Sequence, residues 1–250
     1  MADPDSDIDE LAFLAAYDAS LYPRPSVAVD VVLLTVSGDE LRTLLVRRSE
    51  QPQLGRWALP GTFVRVDESL DAAAARAVTT KAGLAEVFIE QLYTFGNPGR
   101  DPRTRVISVT YYALVDAARL EAAVLGRTGR ELCLARVPAP DAWIVADTAD
   151  GAALELAFDH RELLAVAVER IRGKLAYAPI GFELLPATFT LLELRRVHEA
   201  ILGRPLNKDS FRRTTLDRGL VESTGERATG LGHRPPELYR FARPGAEPPQ

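Results

Sequence analysis

The stretch LPGTFVRVDESLDAAAARAVTTKAGL (59–84) carries the most information about the fold. It begins as a loop that contains Gly61, passes through two acidic residues, and then becomes rich in alanine, which favours a helix. Asp67 or Ser69 is suited to cap the first turn of this helix, and Gly83 is suited to end it. The pattern therefore predicts a glycine-containing loop followed by a helix between these two ends.

This stretch resembles the Nudix box, whose pattern is Gly, five residues, Glu, seven residues, Arg-Glu, an aliphatic residue, any residue, Glu-Glu, any residue, Gly and an aliphatic residue. The positions that agree with the pattern are Glu68, Arg76, Val78, Gly83 and Leu84. The loop glycine of the pattern falls on Thr62, one residue after Gly61. The three helix glutamates of the pattern fall on Ala77, Thr80 and Lys81.

These three departures decide the expected chemistry. A Nudix hydrolase cleaves a pyrophosphate with the help of Mg²⁺, and hard cations of this kind need oxygen ligands, commonly carboxylates. Helix positions i, i+3 and i+4 share one face, so three glutamates at that spacing converge on the metal. Here that face presents a methyl, a hydroxyl and an ammonium group. We therefore predict no catalytic residues, no metal ligands and no required cofactor, and we leave the role of Mg²⁺ in ligand binding open.

A site without catalytic carboxylates can still bind, and the resemblance implies a ligand like a nucleoside diphosphate. Guanidinium groups suit phosphate oxygens, and aromatic rings can stack on a base. An ion pair between Arg76 and Glu68 would instead only hold the loop to the helix. His160 is expected to be structural. The predicted ligand-binding residues are Arg47, Arg48, Trp57, Thr62, Phe63, Glu68, Arg76, Lys81, Phe95, Arg100, Arg103 and Arg105.

The segments around this stretch predict an α+β domain with mixed strands. SVAVDVVLLTV (26–36) is rich in β-branched residues and predicts a buried strand. The turn signal at 37–39 and the segment LRTLLVRRS (41–49) predict the second arm of a hairpin. The other predicted elements are strand-like segments at 87–95 and 105–115 and an amphipathic helix at 158–175. We expect this domain to span 21–175, after a flexible segment at 1–20 that is disordered over 1–10 and helical over 8–17.

Composition and charge add three expectations. The chain has 250 residues and 47% hydrophobic content, which suits two globular domains. No apolar run approaches the ~18–20 residues of a membrane span, the acidic start does not match a secretion signal, and Cys133 has no disulfide partner. These features favour a cytoplasmic protein. Residues 1–173 carry 26 acidic and 18 basic side chains and residues 174–250 carry 9 and 12, an asymmetry that hints at a nucleic-acid partner for the second part.

The C-terminal region has the spacing of a helix-turn-helix. After a connector at 176–188, one face of the first helix is apolar, with Leu191, Leu194, Val197, His198 and Ile201. GRPL (203–206) interrupts the helix, Asn207 is a good cap for a second helix, and Gly219 ends it. Residues 225–241 then predict a hairpin loop and its return strand. The order predicts a winged helix over 189–243, with a disordered tail at 244–250.

The second helix of this motif has the composition of a recognition helix. Such a helix places its N-terminal residues in the major groove, where arginine pairs with guanine while lysine and serine hold phosphates. Phe211, Thr215 and Leu216 are expected to face the core. The predicted DNA-binding residues are Asn207, Lys208, Ser210, Arg212, Arg213 and Thr214, with His233 and Arg234 at the tip of the wing. The alternative is a small helical domain that mediates dimerisation or another protein contact.

Together the two halves resemble the NrtR group of Nudix-related transcriptional regulators of NAD metabolism. The stretches that carry this resemblance are YPRPSVAVDVV (22–32), PIGFELLP (179–186), FTLLELRRVHEAILGRPLNKDSFRR (189–213), GHRP (232–235) and ELYRF (237–241). The resemblance implies an α/β/α Nudix-like sandwich before a winged helix. It also implies a homodimeric repressor of NAD biosynthesis or salvage genes, a two-fold double-stranded DNA operator and an effector such as ADP-ribose.

Two other functions remain open from the sequence. One is an active nucleoside-diphosphate hydrolase with an appended domain, which the three substituted glutamates argue against. The other is a sugar-responsive regulator on the same scaffold, which the arginines suited to phosphate disfavour. For the regulator, we expect ligand binding to change the relative placement of two DNA-binding domains, with the connector at 176–188 as the place of motion. The direction of that effect stays open.

Overall fold

The computed structural model describes residues 4–126, 131–137, 152–228 and 235–242, with side chains from residue 9 onward. The tail at 244–250 and the predicted wing residues His233 and Arg234 lie outside the described residues. None of the helices in the described parts of the chain combines the length and the hydropathy of a membrane span.

The N-terminal segment is helical earlier than we expected. Helix α1 covers Pro4–Ala16 and is followed by a short 3-10 helix at Ala19–Leu21. Residues 4–10, which we expected to be disordered, therefore belong to this helix.

The described residues of the first domain form a seven-stranded mixed sheet. Its strands are β1 (Ser26–Ser37), β2 (Glu40–Arg47), β3 (Trp57–Ala58), β4 (Gly61–Phe63), β5 (Glu90–Phe95), β6 (Val106–Leu114) and β7 (Leu132–Arg136). Strand β1 is central: it pairs in parallel with β6 and antiparallel with β2 and β4. Strand β2 extends the sheet to β3 and β7, and β5 pairs with β6. The predicted hairpin is confirmed, with Ser37 opposite Glu40.

Helices cover both faces of this sheet. Alternate side chains of β1 point to opposite faces, so Val31 and Leu33 pack against α2 (Leu70–Ala77) and α3 (Ala117–Leu125). Val32 and Leu34 pack against α4 (His160–Lys174) on the other face. The domain is thus an α/β/α sandwich with a mixed sheet, as predicted. The sequence did not indicate α3 or β7, because apolar and polar residues in that region follow neither period clearly.

The helix of the Nudix-like stretch begins and ends at the predicted residues. The hydroxyl of Ser69 accepts a hydrogen bond from the Ala72 N–H at 3.1 Å, and Gly83 adopts a left-handed φ of 75°. Between them, α2 continues through a π-helical turn at Val78–Ala82. The fully buried Ala73 and Ala77 bring the helix close to the sheet.

The second domain is a winged helix, as predicted. Its described elements are α5 (Leu191–Leu202), α6 (Lys208–Asp217), β8 (Val221–Arg227) and β9 (Glu237–Phe241). Thr190 and Glu193 form a capping box at the start of α5, and the Asn207 side chain accepts hydrogen bonds from the N–H groups of Asp209 and Ser210. The core contains Phe182, Phe189, Leu194, Val221 and Tyr239. Thr215 is buried as expected, whereas Leu216 is 39% exposed. Successive residues of a helix point in different directions, so Leu216 lies toward the outer side of α6 when Thr215 faces the core.

Helix α5 belongs to both domains. Leu194 packs in the winged-helix core, whereas Val197 and Ile201 pack in the sheet core with Leu41 of β2. The connector at 176–188 is divided in the same way: it contains a 3-10 helix at Ile180–Leu184 that buries Phe182 in one core and Leu184 in the other. Any rotation of the winged helix against the sheet therefore has to break apolar contacts made by α5 and by the connector.

Candidate ligand cavity and nucleic-acid interface

A cavity of about 320 Å³ lies where the loop after β2, strand β4 and the loop before β6 meet. Its wall also includes residues of β1 and β2, the end of the α2 helix and the start of α4. The predicted ligand-binding residues that line it are Arg47, Arg48, Thr62, Phe63, Lys81, Arg100 and Arg103. Segments as far apart in sequence as Ala28 and His160 therefore line one cavity, as expected for a site at the end of a sheet.

The other predicted ligand-binding residues do not line this cavity. Phe95 is 6% exposed and lies in the sheet core, and Trp57 is half-buried against the same core, so neither ring can stack on a ligand there. The Arg105 guanidinium donates to the Val106 carbonyl. Glu68 and Arg76 face each other beside the cavity rather than in it.

The pair formed by Glu68 and Arg76 fastens the β4 loop to helix α2. Arg76 donates two hydrogen bonds to the Glu68 carboxylate, and it also reaches the Thr62 hydroxyl and the Phe63 carbonyl at 3.0 Å each. The Arg65 N–H donates to the same carboxylate at 2.8 Å. Arg76 is the main reason that the pKa of Glu68 falls to about 2. The geometry therefore supports the alternative in which Arg76 pairs with Glu68 and holds the loop to the helix.

The remaining box positions do not form a carboxylate site. Ala77 is fully buried against the sheet, and the Thr80 hydroxyl donates to the Arg76 carbonyl at 2.7 Å. Only Lys81 reaches the cavity, so the expectation that these three side chains share one presented face is corrected. The described residues contain no group of three or more His, Cys, Asp or Glu side chains placed to hold a metal ion. A hard cation such as Mg²⁺ does not fit a set made of a methyl, a hydroxyl, an ammonium and an arginine-paired carboxylate.

Cations and aromatic rings alternate along one wall of the cavity. The guanidinium carbon of Arg48 lies 4.8 Å from the centre of the Phe158 ring. That of Arg103 lies 5.2 Å from the centre of Phe63 and 5.8 Å from that of Phe158, within cation–π range. Arg103 also pairs with Asp101 at 2.7 Å. This wall offers flat apolar faces and guanidinium donors to one ligand.

Arg48 is the cation of this wall that the described residues compensate least. Its guanidinium donates to the backbone carbonyls of Pro52 at 2.8 Å and Glu50 at 3.4 Å, and no described carboxylate lies within ion-pair distance of it. Burial, followed by the positive charge of Arg103, lowers the pKa of Arg48. A bound anion would relieve both effects, because it supplies the missing counter-charge.

The floor of the cavity is a buried polar network. Arg100 makes two hydrogen bonds to Asp159, at 2.7 and 2.8 Å, and lies 3.5 Å from Asp30. Asp30 accepts a hydrogen bond from the Ser108 hydroxyl at 2.6 Å. The ring of His160 completes the floor: its Nδ1 accepts from the Leu59 N–H at 2.8 Å.

His160 has a structural role in this network, as expected. It is buried, and burial lowers its pKa, so the ring is neutral and its Nδ1 is free to accept from the backbone. Its Nε2 lies 3.6 Å from a carboxylate oxygen of Asp30. The ring therefore holds the Leu59 backbone, immediately before the Nudix-like loop, against the start of α4.

Sequence reasoning missed Asp30 and Phe158 as residues of the cavity wall. Asp30 interrupts the apolar run of β1, and a charged residue inside a buried strand was an available signal. Phe158 gave no such signal: its position depends on a left-handed φ of 52° and on the distant Gln53 side chain, which accepts a hydrogen bond from its N–H.

Gly61 explains why the loop approaches the sheet so closely. A Cβ atom at this position would lie 2.2 Å from a carboxylate oxygen of Asp30 and 2.9 Å from the Val29 carbonyl. Both distances are shorter than van der Waals contact, so only glycine fits between the loop and β1.

The second candidate site is the outer face of α6. Lys208, Ser210, Arg212, Arg213 and Thr214 are all exposed there, as predicted for a recognition helix. Asn207 is also exposed, but its side-chain oxygen is used in capping α6. The face combines three cations with the N-terminus of a helix, both of which favour phosphate oxygens.

Two family models match this chain. The NUDIX domain matches residues 24–165, and the NrtR DNA-binding winged helix domain matches residues 181–241. The first match ends within α4, and the second begins within the connector, at its 3-10 helix.

Relatives of known name or structure resemble the chain over most of its length. It is 38% identical over 235 residues to the ADPR responsive transcriptional repressor NtrR of Acinetobacter baylyi, covering 93% of this chain and 88% of the relative. The crystal structure of Shewanella oneidensis NrtR complexed with a 27mer DNA matches with a TM-score of 0.70 at 35% identity, over 86% of this chain and 93% of that one. The NUDIX domain of the same protein complexed with ADP ribose matches with a TM-score of 0.51 at 32% identity, over 65% and 98%.

Proposed function

This chain belongs to the NrtR family, in which a Nudix domain precedes a winged helix, and we propose that it is a transcriptional repressor that binds DNA and responds to ADP-ribose. One observation carries the proposal: the domain that holds a cavity lined by cations and aromatic rings packs its sheet core against helix α5 of a winged helix, and that winged helix exposes a basic face. A ligand site and a DNA site joined through a common core are what a ligand-responsive repressor needs.

The cavity supports a ligand with a pyrophosphate and a base. Arg47, Arg48, Arg103 and Lys81 provide the positive charge for the two phosphates. Phe63 and Phe158 flank Arg103 and provide flat faces for an adenine ring. Arg47 pairs with Glu131 and Arg103 with Asp101, whereas Arg48 has no described carboxylate within ion-pair distance. A sugar without phosphates would supply no counter-charge to Arg48, which disfavours the sugar-responsive alternative.

The winged helix supports binding to double-stranded DNA. In this arrangement α6 enters the major groove, Arg212 and Arg213 read base edges, and Lys208 and Ser210 hold phosphates. A two-fold operator requires two copies of this helix at a fixed spacing, so the functional unit is a homodimer. The regulated genes are those of NAD biosynthesis or salvage, and the protein acts in the cytoplasm, where it meets the operator.

Communication between the two sites runs through packed residues rather than a loose tether. The ligand contacts the Arg47 and Arg48 end of β2, whereas Leu41 at the other end of β2 packs with Val197 and Ile201 of α5. A ligand that shifts β2 changes the placement of α5 and thus the spacing of two recognition helices. A coupling of about 1–3 kcal/mol would change DNA affinity roughly 5- to 150-fold.

The cavity is a sensor and not a hydrolytic site in this proposal. Hydrolysis of a pyrophosphate by a Nudix enzyme relies on carboxylates that hold Mg²⁺, and the corresponding positions here are Ala77, Thr80 and Lys81. We expect no release of AMP or phosphate from ADP-ribose in the presence of Mg²⁺ or Mn²⁺. Turnover in such an assay would favour the hydrolase alternative.

The experiment is a titration of labelled DNA from the regions upstream of this gene and of neighbouring NAD-metabolism genes, followed by fluorescence anisotropy with and without ADP-ribose. We expect tight, salt-dependent binding and a change of at least fivefold with ADP-ribose but not with ribose. Binding that ADP-ribose leaves unchanged would contradict the assigned effector. The absence of specific binding would contradict the repressor function itself.

A further inference from the structure

Lys81 stands where the Nudix pattern has a metal-binding glutamate, so the charge at this position is reversed. The side chain extends from the π-helical turn at the end of α2 and lines the cavity. A carboxylate there would attract a cation that in turn binds the phosphates, whereas an ammonium group is itself a cation. The ammonium group of Lys81 therefore stands in for both the glutamate that would bind the metal and the metal ion itself.

Neighbouring residues remove the other donors that a metal would need. The Glu68 carboxylate is shared between the Arg76 guanidinium and the Arg65 N–H. Ala77 is buried against the sheet, and Thr80 donates its hydroxyl proton to a helix carbonyl. Bringing a divalent cation into the cavity would mean breaking the Glu68 pair and placing the ion beside the charge of Lys81.

Arg48 and Arg103 line the same cavity as Lys81. Arg48 has backbone carbonyls rather than a described carboxylate as its hydrogen-bond partners, and Arg103 lies close enough to disfavour its charge. Together with Lys81, these groups give one cavity three cationic side chains, of which Arg103 pairs with Asp101. The pyrophosphate of a nucleoside diphosphate ester carries about two negative charges on its non-bridging oxygens, so Lys81 and Arg48 supply enough positive charge to balance it without an added metal.

We propose that Lys81 takes the place of the Nudix metal ion, so that the effector's pyrophosphate binds to this cavity without any divalent cation. The inference rests on the proposed function, because it assigns the pyrophosphate of the effector to the same cavity. It goes beyond that function by making the sensor independent of cellular Mg²⁺. The repressor then reports the concentration of a free nucleotide and not that of its magnesium complex.

The test uses the full-length protein and isothermal calorimetry with ADP-ribose, once with EDTA and once with millimolar Mg²⁺. We expect the wild-type Kd to agree within twofold between the two conditions. Lys81→Met removes the charge and should weaken binding at least tenfold in both. Lys81→Glu restores the glutamate of the Nudix pattern, so it should bind more weakly still with EDTA and recover at least threefold with Mg²⁺.

Arg119→Glu is the matched control. It makes the same change of charge on an exposed residue that contacts the Ala85 carbonyl, just beyond Gly83, and it does not line the cavity. Its ADP-ribose affinity should stay within twofold of wild type under both conditions. Circular dichroism of all variants establishes that each is folded before affinities are compared.

Inorganic pyrophosphate separates failure of this inference from failure of the proposed function. If pyrophosphate binds without metal in a way that depends on Lys81, but ADP-ribose does not bind, the proposed role of Lys81 would be supported. The assignment of ADP-ribose as the effector would be overturned. A different outcome is that ADP-ribose binds only when Mg²⁺ is present, or binds equally well to the Lys81→Met variant. Either result would overturn the proposed role of Lys81 but keep ADP-ribose as the effector. Bound Mn²⁺ detected by electron paramagnetic resonance in the wild-type complex would also overturn the inference.

Discussion

The Nε of Arg172 on α4 donates a hydrogen bond of 2.7 Å to the carbonyl oxygen of Ile201 on α5. The last carbonyls of a helix have no partner within it, so a side chain of the Nudix domain satisfies the C-terminal end of a winged-helix element. The contact ties the two domains at the point where they share a core.

We expect Arg172→Ala to reduce the effect of ADP-ribose on DNA affinity severalfold, because α5 would follow movements of the sheet less closely. The affinity for ADP-ribose alone should stay within twofold, and the loss of one hydrogen bond should lower the free energy of unfolding by about 1 kcal/mol. Anisotropy titrations and urea unfolding measure these quantities. Arg170→Ala is the control, since Arg170 bonds to the Leu92 carbonyl within its own domain and its loss should leave the coupling intact.

The recognition helix gives a second prediction. Replacing both Arg212 and Arg213 with alanine should weaken operator binding at least about thirtyfold, because each contact is worth about 1–3 kcal/mol. The affinity for ADP-ribose should not change. Arg119→Ala, which removes an exposed arginine elsewhere, serves as the control. Unchanged operator affinity in the double variant would mean that α6 is not the DNA-binding helix.

Gly61 and Gly173 make a matched pair for a test of packing. A Cβ at Gly61 would meet Asp30 at 2.2 Å, whereas a Cβ at Gly173 on α4 would meet nothing within 4 Å. Gly61→Ala should destabilise the fold by about 1–3 kcal/mol and weaken ADP-ribose binding, because the loop and Asp30 both line the cavity. Gly173→Ala should instead stabilise the fold by about 0.5–1 kcal/mol, as alanine favours a helix. Thermal unfolding of both variants gives the comparison.

His198 predicts how stability depends on pH. Burial lowers its pKa to about 4, against about 6.5 in the unfolded chain. Below pH 6.5 the unfolded chain therefore binds a proton that the folded protein does not, so stability falls as the pH falls toward 4. At pH 5, the protonation of His198 in the unfolded chain lowers the free energy of unfolding by about 2 kcal/mol relative to its value above pH 6.5.

His198→Leu tests this share. The free energy of unfolding, measured with urea at pH 7.5 and pH 5, should differ less between the two pH values in the variant than in the wild type. Buried His160, whose pKa is also lowered, is present in both proteins and supplies a common background in the same direction. An identical pH dependence in the two proteins would show that His198 is not buried as a neutral ring.

Local signals in the sequence were enough to place most helices and strands. Ser69, Asn207, Gly83 and Gly219 mark ends of α2 and α6, because caps and left-handed turns depend on residues within a few positions. The aromatic residues of the site were harder to identify. Phe95 and Trp57 face the core and Phe158 lines the cavity, since the side of the sheet to which a ring points depends on packing between distant segments.

The sequence by itself determined the order of a Nudix domain and a winged helix, the presence of Ala77, Thr80 and Lys81 where the Nudix pattern has glutamates, and the basic composition of α6. Each of these follows from residue identity or from spacing within one segment. Only the tertiary structure decided that Lys81 alone, of the three substituted positions, reaches the cavity, and that Glu68 is held by Arg76. It also decided that the apolar face of α5 is divided, with Leu194 in one core and Val197 and Ile201 in the other. The physical reason is that hydrophobic burial is not directional: the spacing on α5 predicts that these side chains are buried, but the surface that buries them depends on how the whole chain packs.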